Sequence, residues 1–250
     1  MFLLSLPLLQ AAAQMPDATG IMNRVRELTL TGSLNANVSL TITEKSGSTR
    51  SRTIAMTTKS YTDGTEKRII RFVEPADVRG TAMLIIDNKD KPDEMWIYLP
   101  ALKKTRRIVS SEKGKSFMSS EFSNSDFSSP TMSDFTSRHL ETSGKDNLWI
   151  IESTPADKDK ENEYGYLRKV TYIASNDYQL KKIEFYNFDN ILFKVIEVKS
   201  VQPGSNGAYI IRDMEAKNLL SGRSSEIRFS NIQMNQKTED STFTLQNLEK

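Results

Sequence analysis

Hydrophobic and polar residues alternate along much of the chain, and this pattern predicts a protein made mainly of β-strands. The clearest example is Leu34–Thr43, in which apolar residues occupy every second position. A period of two places one face of a strand in a core and the other face in water. Thr81–Ile86 is apolar at nearly every position, so we expect that strand to be buried on both faces.

Other segments have alternation or short apolar runs that also predict strands, and turn-forming residues separate most of them. They are Arg50–Lys59, Lys67–Val73, Glu94–Leu99, Lys104–Val109, Leu148–Ser153, Tyr166–Ala174, Leu180–Tyr186, Ile191–Val201, Ala208–Asn218 and Ser225–Ile232. About a dozen strands joined by short turns are typical of an antiparallel meander. A sheet of that size does not stay flat, and we expect it to curl or close.

Three segments depart from the strand pattern. Pro16–Leu30 has apolar residues at helical spacing after a possible cap at Asp17, which predicts a helix. Ser110–Ser137 holds 11 serines among large apolar residues and interrupts the meander midway. Because long loops inside a domain are often functional, we interpret it as a partly helical lid whose aromatic side chains reach the sheet, the alternative being a loose surface loop. Pro155–Glu163 is densely charged and predicts a solvated loop.

The first residues resemble an export signal. Met1–Gln14 contains a short leucine-rich run followed by Ala11, Ala12 and Ala13, as at a secretory cleavage site, although no Lys or Arg precedes the run. The run is shorter than the roughly 20 apolar residues that span a bilayer. We expect cleavage near Ala13, residues 14–250 to form a single domain, and a periplasmic location. A buried N-terminal helix is the alternative.

Composition removes several kinds of chemistry. The 250-residue chain has no cysteine and one histidine, which excludes thiol nucleophiles and thiolate metal sites and disfavours His-based metal sites. No motif for a cofactor or a metal ion is present, so we predict neither. The net charge of +2 provides no overall basic field for binding nucleic acid.

Two polar features remain as candidates. Lys103, Lys104, Arg106 and Arg107 form a basic cluster that is either a solvated strand end or a contact for an anionic lipid headgroup or acidic partner. His139 is either an ordinary histidine at a strand edge or the base of a hydrolase, which would need a serine beside it.

One stretch of sequence resembles a known family. The segments that carry the resemblance follow in order within Arg79–Phe127, and a closing segment supports it: Gly80–Leu84, Trp96–Leu102, Arg106–Ile108, Ser116–Phe122, Asp126–Phe127 and Phe243–Glu249. Together they resemble the outer-membrane lipoprotein-sorting (LolA-like) family, in particular its exported branch associated with RND-class membrane exporters. That branch often has glycine where this chain has Ser119.

The resemblance implies a fold and an activity. The fold is mostly β (α+β), with a curved antiparallel sheet forming an incomplete β-barrel closed by short helices and a lid. The activity is to hold acyl chains between sheet and lid without catalysis. In the lipoprotein carrier an arginine holds the lid shut, and Arg50, Arg52, Arg68 and Arg71 are its candidates here.

The expected cavity residues come from two regions, the strands of the motif and the lid. They are Met83, Ile85, Trp96, Tyr98, Ile108, Phe117, Met118, Phe122 and Phe127, all of which could instead be ordinary core. Each methylene buried there contributes about 0.8 kcal/mol, so a whole acyl chain contributes on the order of 10 kcal/mol before costs. We also expect the serine-rich lid to open at modest cost.

Three functions are compatible with these features of the sequence. The first is a periplasmic carrier, a monomer that binds lipid or lipoprotein acyl chains and exchanges them with an RND-class exporter or an outer-membrane acceptor. The second is a non-catalytic adaptor or sensor that binds an exporter or an envelope-stress regulator through an exposed patch. The third is a lipid hydrolase that uses His139.

Overall fold

The computed structural model of the protein describes residues 15–29, 32–89, 91–129, 131–141 and 143–250. In these ranges thirteen antiparallel strands form one sheet. They are β1 (Leu34–Thr43), β2 (Thr49–Ser60), β3 (Glu66–Glu74), β4 (Ala82–Asp87), β5 (Glu94–Leu99), β6 (Lys104–Ile108), β7 (Phe135–His139), β8 (Leu148–Pro155), β9 (Arg168–Ala174), β10 (Leu180–Tyr186), β11 (Leu192–Pro203), β12 (Tyr209–Asn218) and β13 (Ser224–Met234). Every strand predicted from alternation is present, within about two residues at each end.

The helices are short apart from the first. They are α1 (Ala18–Thr29), α2 (Ser110–Lys113), α3 (Lys158–Tyr164) and α4 (Leu245–Leu248), with 3₁₀ turns at Pro100–Leu102, Asn124–Phe127, Met132–Asp134, Lys145–Asn147, Ser205–Gly207 and Asp240–Phe243. Within the described ranges no helix is long and apolar enough to cross a membrane. The expected export signal over residues 1–13 lies outside the described residues.

The sheet is a meander in which the first and last strands of the chain lie side by side at its centre. Its order is β6-β5-β4-β3-β2-β1-β13-β12-β11-β10-β9-β8-β7, so the first and last strands pair and two strands adjacent along the chain are the edges. The sheet is curved and is not closed into a barrel. The segment between β6 and β7, residues 109–134, must cross from one edge to the other, and we call this segment the lid. The predicted fold class is confirmed.

The inner face of the sheet carries the main core. Leu34, Val38, Leu40 and Ile42 of β1 are all buried, as the alternation in that strand requires. Inward residues of β2–β6 join the same cluster, together with Phe117 of the lid. The half of the sheet formed by β1–β6 therefore packs directly against the lid.

The outer face of β3–β5 is covered by the C-terminal segment. Phe243 and Leu248, both buried, pack against Ala82 and Leu84 of β4. The inward residues of β4 lie in the main core, so both faces of this strand are buried as predicted.

Helix α1 covers the other half of the sheet. Its residues Ile21 and Val25 pack on Trp149, Ile151 and Ile173 of β8 and β9. The helix begins as predicted, because the carboxylate of Asp17 accepts a hydrogen bond from the Gly20 N–H at 2.9 Å.

Two sequence predictions need correction. Pro155–Glu163 is not a solvated loop, because α3 occupies it from Lys158 onward. The helix is capped by Asp157, whose side chain accepts a hydrogen bond from the Lys160 N–H at 2.9 Å. Tertiary contacts stabilise this helix: the Lys113 ammonium lies 2.7 Å from a Glu163 oxygen, and both side chains are about nine-tenths buried. The predicted lid Ser110–Ser137 is also too long, since residues from Phe135 onward form β7 and pair with β8.

Candidate functional site

The lid is anchored by aromatic side chains that point into the sheet, as the sequence predicted. Phe117 and Phe122 are completely buried. The Phe117 ring lies 4.2 Å from that of Phe127 and 5.8 Å from that of Phe72 on β3, measured between centroids. Burying such a side chain contributes about 2–3 kcal/mol, so these rings favour the closed lid.

Three arginines add polar fastenings to the lid backbone. Arg52 of β2 donates to the Met118 carbonyl, and Arg68 of β3 donates to the Phe127 carbonyl. Arg223, before β13, donates to the carbonyl of Ser119 at 2.9 Å. The expectation that a few aromatics hold the lid and that it opens at modest cost therefore underestimates its attachment.

Two of the four arginines that are candidates for holding the lid shut make no hydrogen bond or ion pair with the lid among the described residues. Arg50 pairs with Glu44 at 2.6 Å, and Arg71 donates to the Asn247 carbonyl at 2.8 Å in the C-terminal segment. Of these four arginines, Arg52 and Arg68 are therefore the two that hydrogen-bond to the lid in the described structure.

The tip of the lid is a tight turn. The N–H of Phe117 donates to the Phe122 carbonyl at 2.7 Å, and Met118 and Ser119 between them have φ of 50° and 63°. Side chains disfavour this left-handed conformation and glycine does not. The backbone therefore explains why glycine suits the position of Ser119.

An apolar cavity lies under the lid, between α1 and the strands β9–β12. Its volume is about 260 Å³, and a second cavity of about 200 Å³ adjoins it and shares Asp126, Ser128 and Ser129 of the lid. The floor of the first cavity is apolar and comes from β10–β12: Ile183, Phe185, Ile196, Val198, Ile211 and Met214. The first cavity therefore lies beside the β1–β6 half of the core, and the second reaches Leu34, Met56 and Arg68 of β1–β3.

A row of charged and aromatic residues runs across adjacent strands, and two of its members, Lys169 and Phe185, line this cavity. Lys169, Phe185 and Lys194 are neighbours on β9, β10 and β11. The Lys194 ammonium pairs with Asp126 of the lid at 2.8 Å, whereas no carboxylate among the described residues lies within ion-pair distance of Lys169. Burial is the main effect that lowers the pKa of Lys169, to about 8, while Asp126 opposes the shift and Lys194 adds to it.

A second polar cluster surrounds Arg68. Arg68 pairs with Glu66, and the buried Asp87 lies close to both. Burial raises the pKa of Asp87 to about 7, against the attraction of Arg68, and nearby Asp93 and Glu66 raise it further. Arg68, which contacts the lid, therefore lies next to a carboxyl group whose pKa is near neutral pH.

The expected cavity residues separate into three groups. Phe122 and Phe127 line the cavities. Met83, Ile85, Ile108 and Phe117 are fully packed in the core of the β1–β6 half, and Met118 packs against that core.

The third group is Trp96 and Tyr98, which lie on the outer face of β5 with the C-terminal segment and do not line either cavity. The reason is alternation: Met95 and Ile97 take the inward positions of β5. The cavity floor on β10–β12 was missed, although alternation in those strands marks its apolar residues.

The basic cluster lies at an exposed edge of the sheet. Lys103, Lys104, Arg106 and Arg107 are all exposed, and all but the first belong to the edge strand β6. Arg106 pairs with Glu112 at 2.7 Å. Charged side chains on an edge strand hinder pairing with other sheets, so this arrangement also has a purely protective explanation.

His139 has a serine neighbour but lies away from the cavity. Its Nδ1 is 2.8 Å from the Ser143 hydroxyl, and its Nε2 is 2.8 Å from the Pro16 carbonyl. The same hydroxyl accepts from the Ile150 N–H at 3.0 Å, and Ser143 is buried. These contacts connect the start of α1 to β7 and β8. In the described part of the chain, no three acidic or histidine side chains gather as a metal site would require.

A curved open sheet with a lid over an apolar cavity defines a class of incomplete-barrel proteins, and comparison with known proteins agrees. A family model described as “-like: Uncharacterized protein” matches residues 64–250, which is more than half of the chain. The chain therefore belongs to this family. No curated protein matches the chain.

Three crystal structures share the fold. A domain described as an outer membrane lipoprotein-sorting protein from Vibrio parahaemolyticus has 25% identity and a TM-score of 0.83, over 93% of this chain and 98% of that one. A DUF1329 family protein from Desulfovibrio piger has 24% identity and a TM-score of 0.82, over 92% and 97%. A LolA superfamily protein from Nitrosomonas europaea has 18% identity and a TM-score of 0.72, over 93% and 100%. The resemblance to the lipoprotein-sorting family is confirmed.

Proposed function

We propose that the protein is a periplasmic carrier, without catalytic activity, that holds acyl chains of a lipid or lipoprotein beneath its lid. The observation that supports this most is the apolar cavity of about 260 Å³ between the lid and the strands β9–β12. The described relative from Vibrio, a lipoprotein-sorting domain, has the same fold.

The closed lid fits the proposal as a resting state. Ligand pockets usually measure about 300–1,000 Å³, so the closed cavity has room for little more than one chain. Entry of a single chain and accommodation of larger cargo both require the lid to lift, and Arg52, Arg68 and Arg223 are the groups to be released. A hydrogen bond from a charged donor contributes about 1.5–3 kcal/mol, so cargo binding must offset several kcal/mol.

The first test asks what the protein carries. Native mass spectrometry with lipid extraction, on protein purified from a bacterial periplasm, is expected to show one acylated ligand per chain. The mass of that ligand separates a phospholipid from a lipoprotein. Protein that is free of lipid and also fails to take up a fluorescent fatty acid contradicts the proposal.

The second test asks whether the lid must move. The chain has no cysteine, so two thiols can be introduced without background reactions. Glu121 on the lid and Ser225 on β13 are in contact, since the Glu121 N–H donates to the Ser225 hydroxyl at 2.9 Å. Oxidised Glu121→Cys/Ser225→Cys protein should not take up fatty acid, and reduction should restore uptake. The two single variants are the controls and should bind under both conditions.

The alternative is an adaptor that binds an exporter or regulator through β6. The observation in its favour is that the basic cluster is exposed together with Leu102 and Val109, which are 67% and 51% exposed. A pull-down from envelope extract with wild type and a Lys104→Glu/Arg107→Glu variant separates the two functions. Loss of a specific partner with intact fatty acid uptake would show that both surfaces operate.

A further inference from the structure

The charge inside the cavity is unbalanced. Lys169 is only 8% exposed, and its neighbour Lys194 is already neutralised by Asp126 of the lid. The Lys169 ammonium lies 4.5 Å from the centre of the Phe135 ring, and among the described residues it has neither a hydrogen bond nor an ion pair. A buried cation without a partner is costly unless a ligand compensates for it.

A second cation faces the same space from the opposite wall. Arg26 of α1 lines the cavity, and its Nε is buried without a hydrogen-bond partner in the described structure. Asp93 is close enough to Arg26 for the two charges to interact, which leaves Lys169 as the cation with least compensation.

We propose that the cavity selects a single-chain amphiphile with a compact anionic head group, which pairs with the Lys169 ammonium while the chain lies along β10–β12. This inference rests on the proposed carrier function and specifies the class of its ligand. The apolar floor provides the site for the chain, and Lys169 at the end of that floor provides the site for the head group.

The other groups around Lys169 do not supply the missing negative charge. Asp126 from the lid is shared with Lys194 of β11, and Arg26 from α1 adds a positive charge. Tyr164 is the last residue of α3, and Tyr166 follows it closely. Both are kept neutral because burial raises their pKa far above the usual range. At neutral pH the Lys169 side of the cavity is therefore net positive.

The test compares ligands that differ only in the head group. Dodecanoate, dodecyl phosphate, dodecanol and dodecyltrimethylammonium are titrated calorimetrically at pH 7, below micelle-forming concentrations. We expect dodecanoate to bind about 10- to 100-fold more tightly than dodecanol, which corresponds to one charge-assisted hydrogen bond. The cationic ligand should bind most weakly. Tighter binding of dodecyl phosphate than dodecanoate also supports the inference and identifies phosphate as the preferred head group.

The matched variants are Lys169→Met and the exposed control Lys181→Met on β10. The first should reduce dodecanoate affinity by about 10- to 100-fold and leave dodecanol affinity unchanged. Because methionine removes a buried charge and keeps an unbranched chain, this variant should fold at least as stably as wild type. The control should leave both affinities unchanged.

The pH dependence provides an independent readout. Because the pKa of Lys169 is about 8, dodecanoate affinity should fall as pH rises from 7.5 to 9.5, by up to tenfold per unit. Dodecanol affinity should stay constant over this range, and so should dodecanoate affinity in Lys169→Met.

The outcomes separate the two proposals. Equal affinity for dodecanoate and dodecanol, unchanged by Lys169→Met, overturns the anionic selectivity and leaves the carrier function intact. If none of the four ligands binds to wild type or to a lid-loosened Arg68→Met variant, the carrier function itself is refuted.

Discussion

Asp87 makes the stability of this protein depend on pH in an unusual direction. Its side chain is buried, with the residue 2% exposed, and its pKa is raised from 3.8 to about 7, mainly by burial. Between these two values the folded protein keeps a proton that the unfolded chain has released. Stability therefore falls as pH rises through this window, whereas carboxylates in ion pairs give the opposite trend.

The magnitude follows from the size of the pKa change. Each unit of pKa corresponds to 1.36 kcal/mol, so ionised Asp87 costs the folded state about 4 kcal/mol at pH 8. The Asp87→Asn variant keeps the shape and removes the charge. It should match wild type near pH 4 and gain up to about 4 kcal/mol relative to wild type by pH 8.

The assay is urea denaturation of wild type and Asp87→Asn at intervals from pH 4 to pH 8. Asp189→Asn, at an exposed position, serves as the control and should show no comparable gain in stability at pH 8. Lys169, whose pKa is about 8, also titrates in the upper part of this range, but it is present in both proteins and cancels in the difference. If the difference between Asp87→Asn and wild type is independent of pH, or if the variant is less stable at pH 8, this reasoning is wrong.

Other predictions concern packing, backbone and the single histidine. Lys113→Met should destabilise the fold by about 3 kcal/mol in urea denaturation, because it leaves Glu163 buried with less compensation. Lys158→Met, which removes the exposed ion pair with Glu161, should change stability by less than about 0.5 kcal/mol. Equal effects of these two contradict the burial argument. Ser119→Gly should raise the unfolding free energy by up to about 1 kcal/mol, since its φ is 63°; a loss of stability excludes relief of backbone strain. His139→Ala should lower the melting temperature and leave fatty acid uptake unchanged; an intact melting temperature with lost uptake contradicts its structural role.

Much of the fold could be predicted because alternation directly records which face of a strand is buried. Leu34–Thr43 is an example, since each predicted inward residue is buried. Helix α3 could not be recognised in the same way. Its sequence is charged almost throughout, and part of its stability comes from Lys113, about fifty residues earlier in the chain. A contact over that distance has no local signal.

The cavity was harder to predict than the sheet. Alternation groups Met95 with Ile97 and Trp96 with Tyr98 on β5, but it does not say which pair faces the lid and which faces the C-terminal segment. Alternation also does not show whether the inward face of a strand packs against other side chains or borders a cavity. That depends on how much space α1 and the lid leave above the floor, which is a property of the assembled fold.

The topology constrains how such a lid can open. The lid joins β6 to β7, and these strands are the two edges of the sheet, so it is tethered on both sides of the opening that it covers. A segment fixed at both ends cannot swing away as a flap; it can only lift in the middle. The middle is the stretch 117–127, where the buried aromatics and the Arg52 and Arg68 contacts are concentrated. Fastenings at the centre of a doubly tethered segment control opening most effectively, because releasing them frees the segment without disturbing either edge strand.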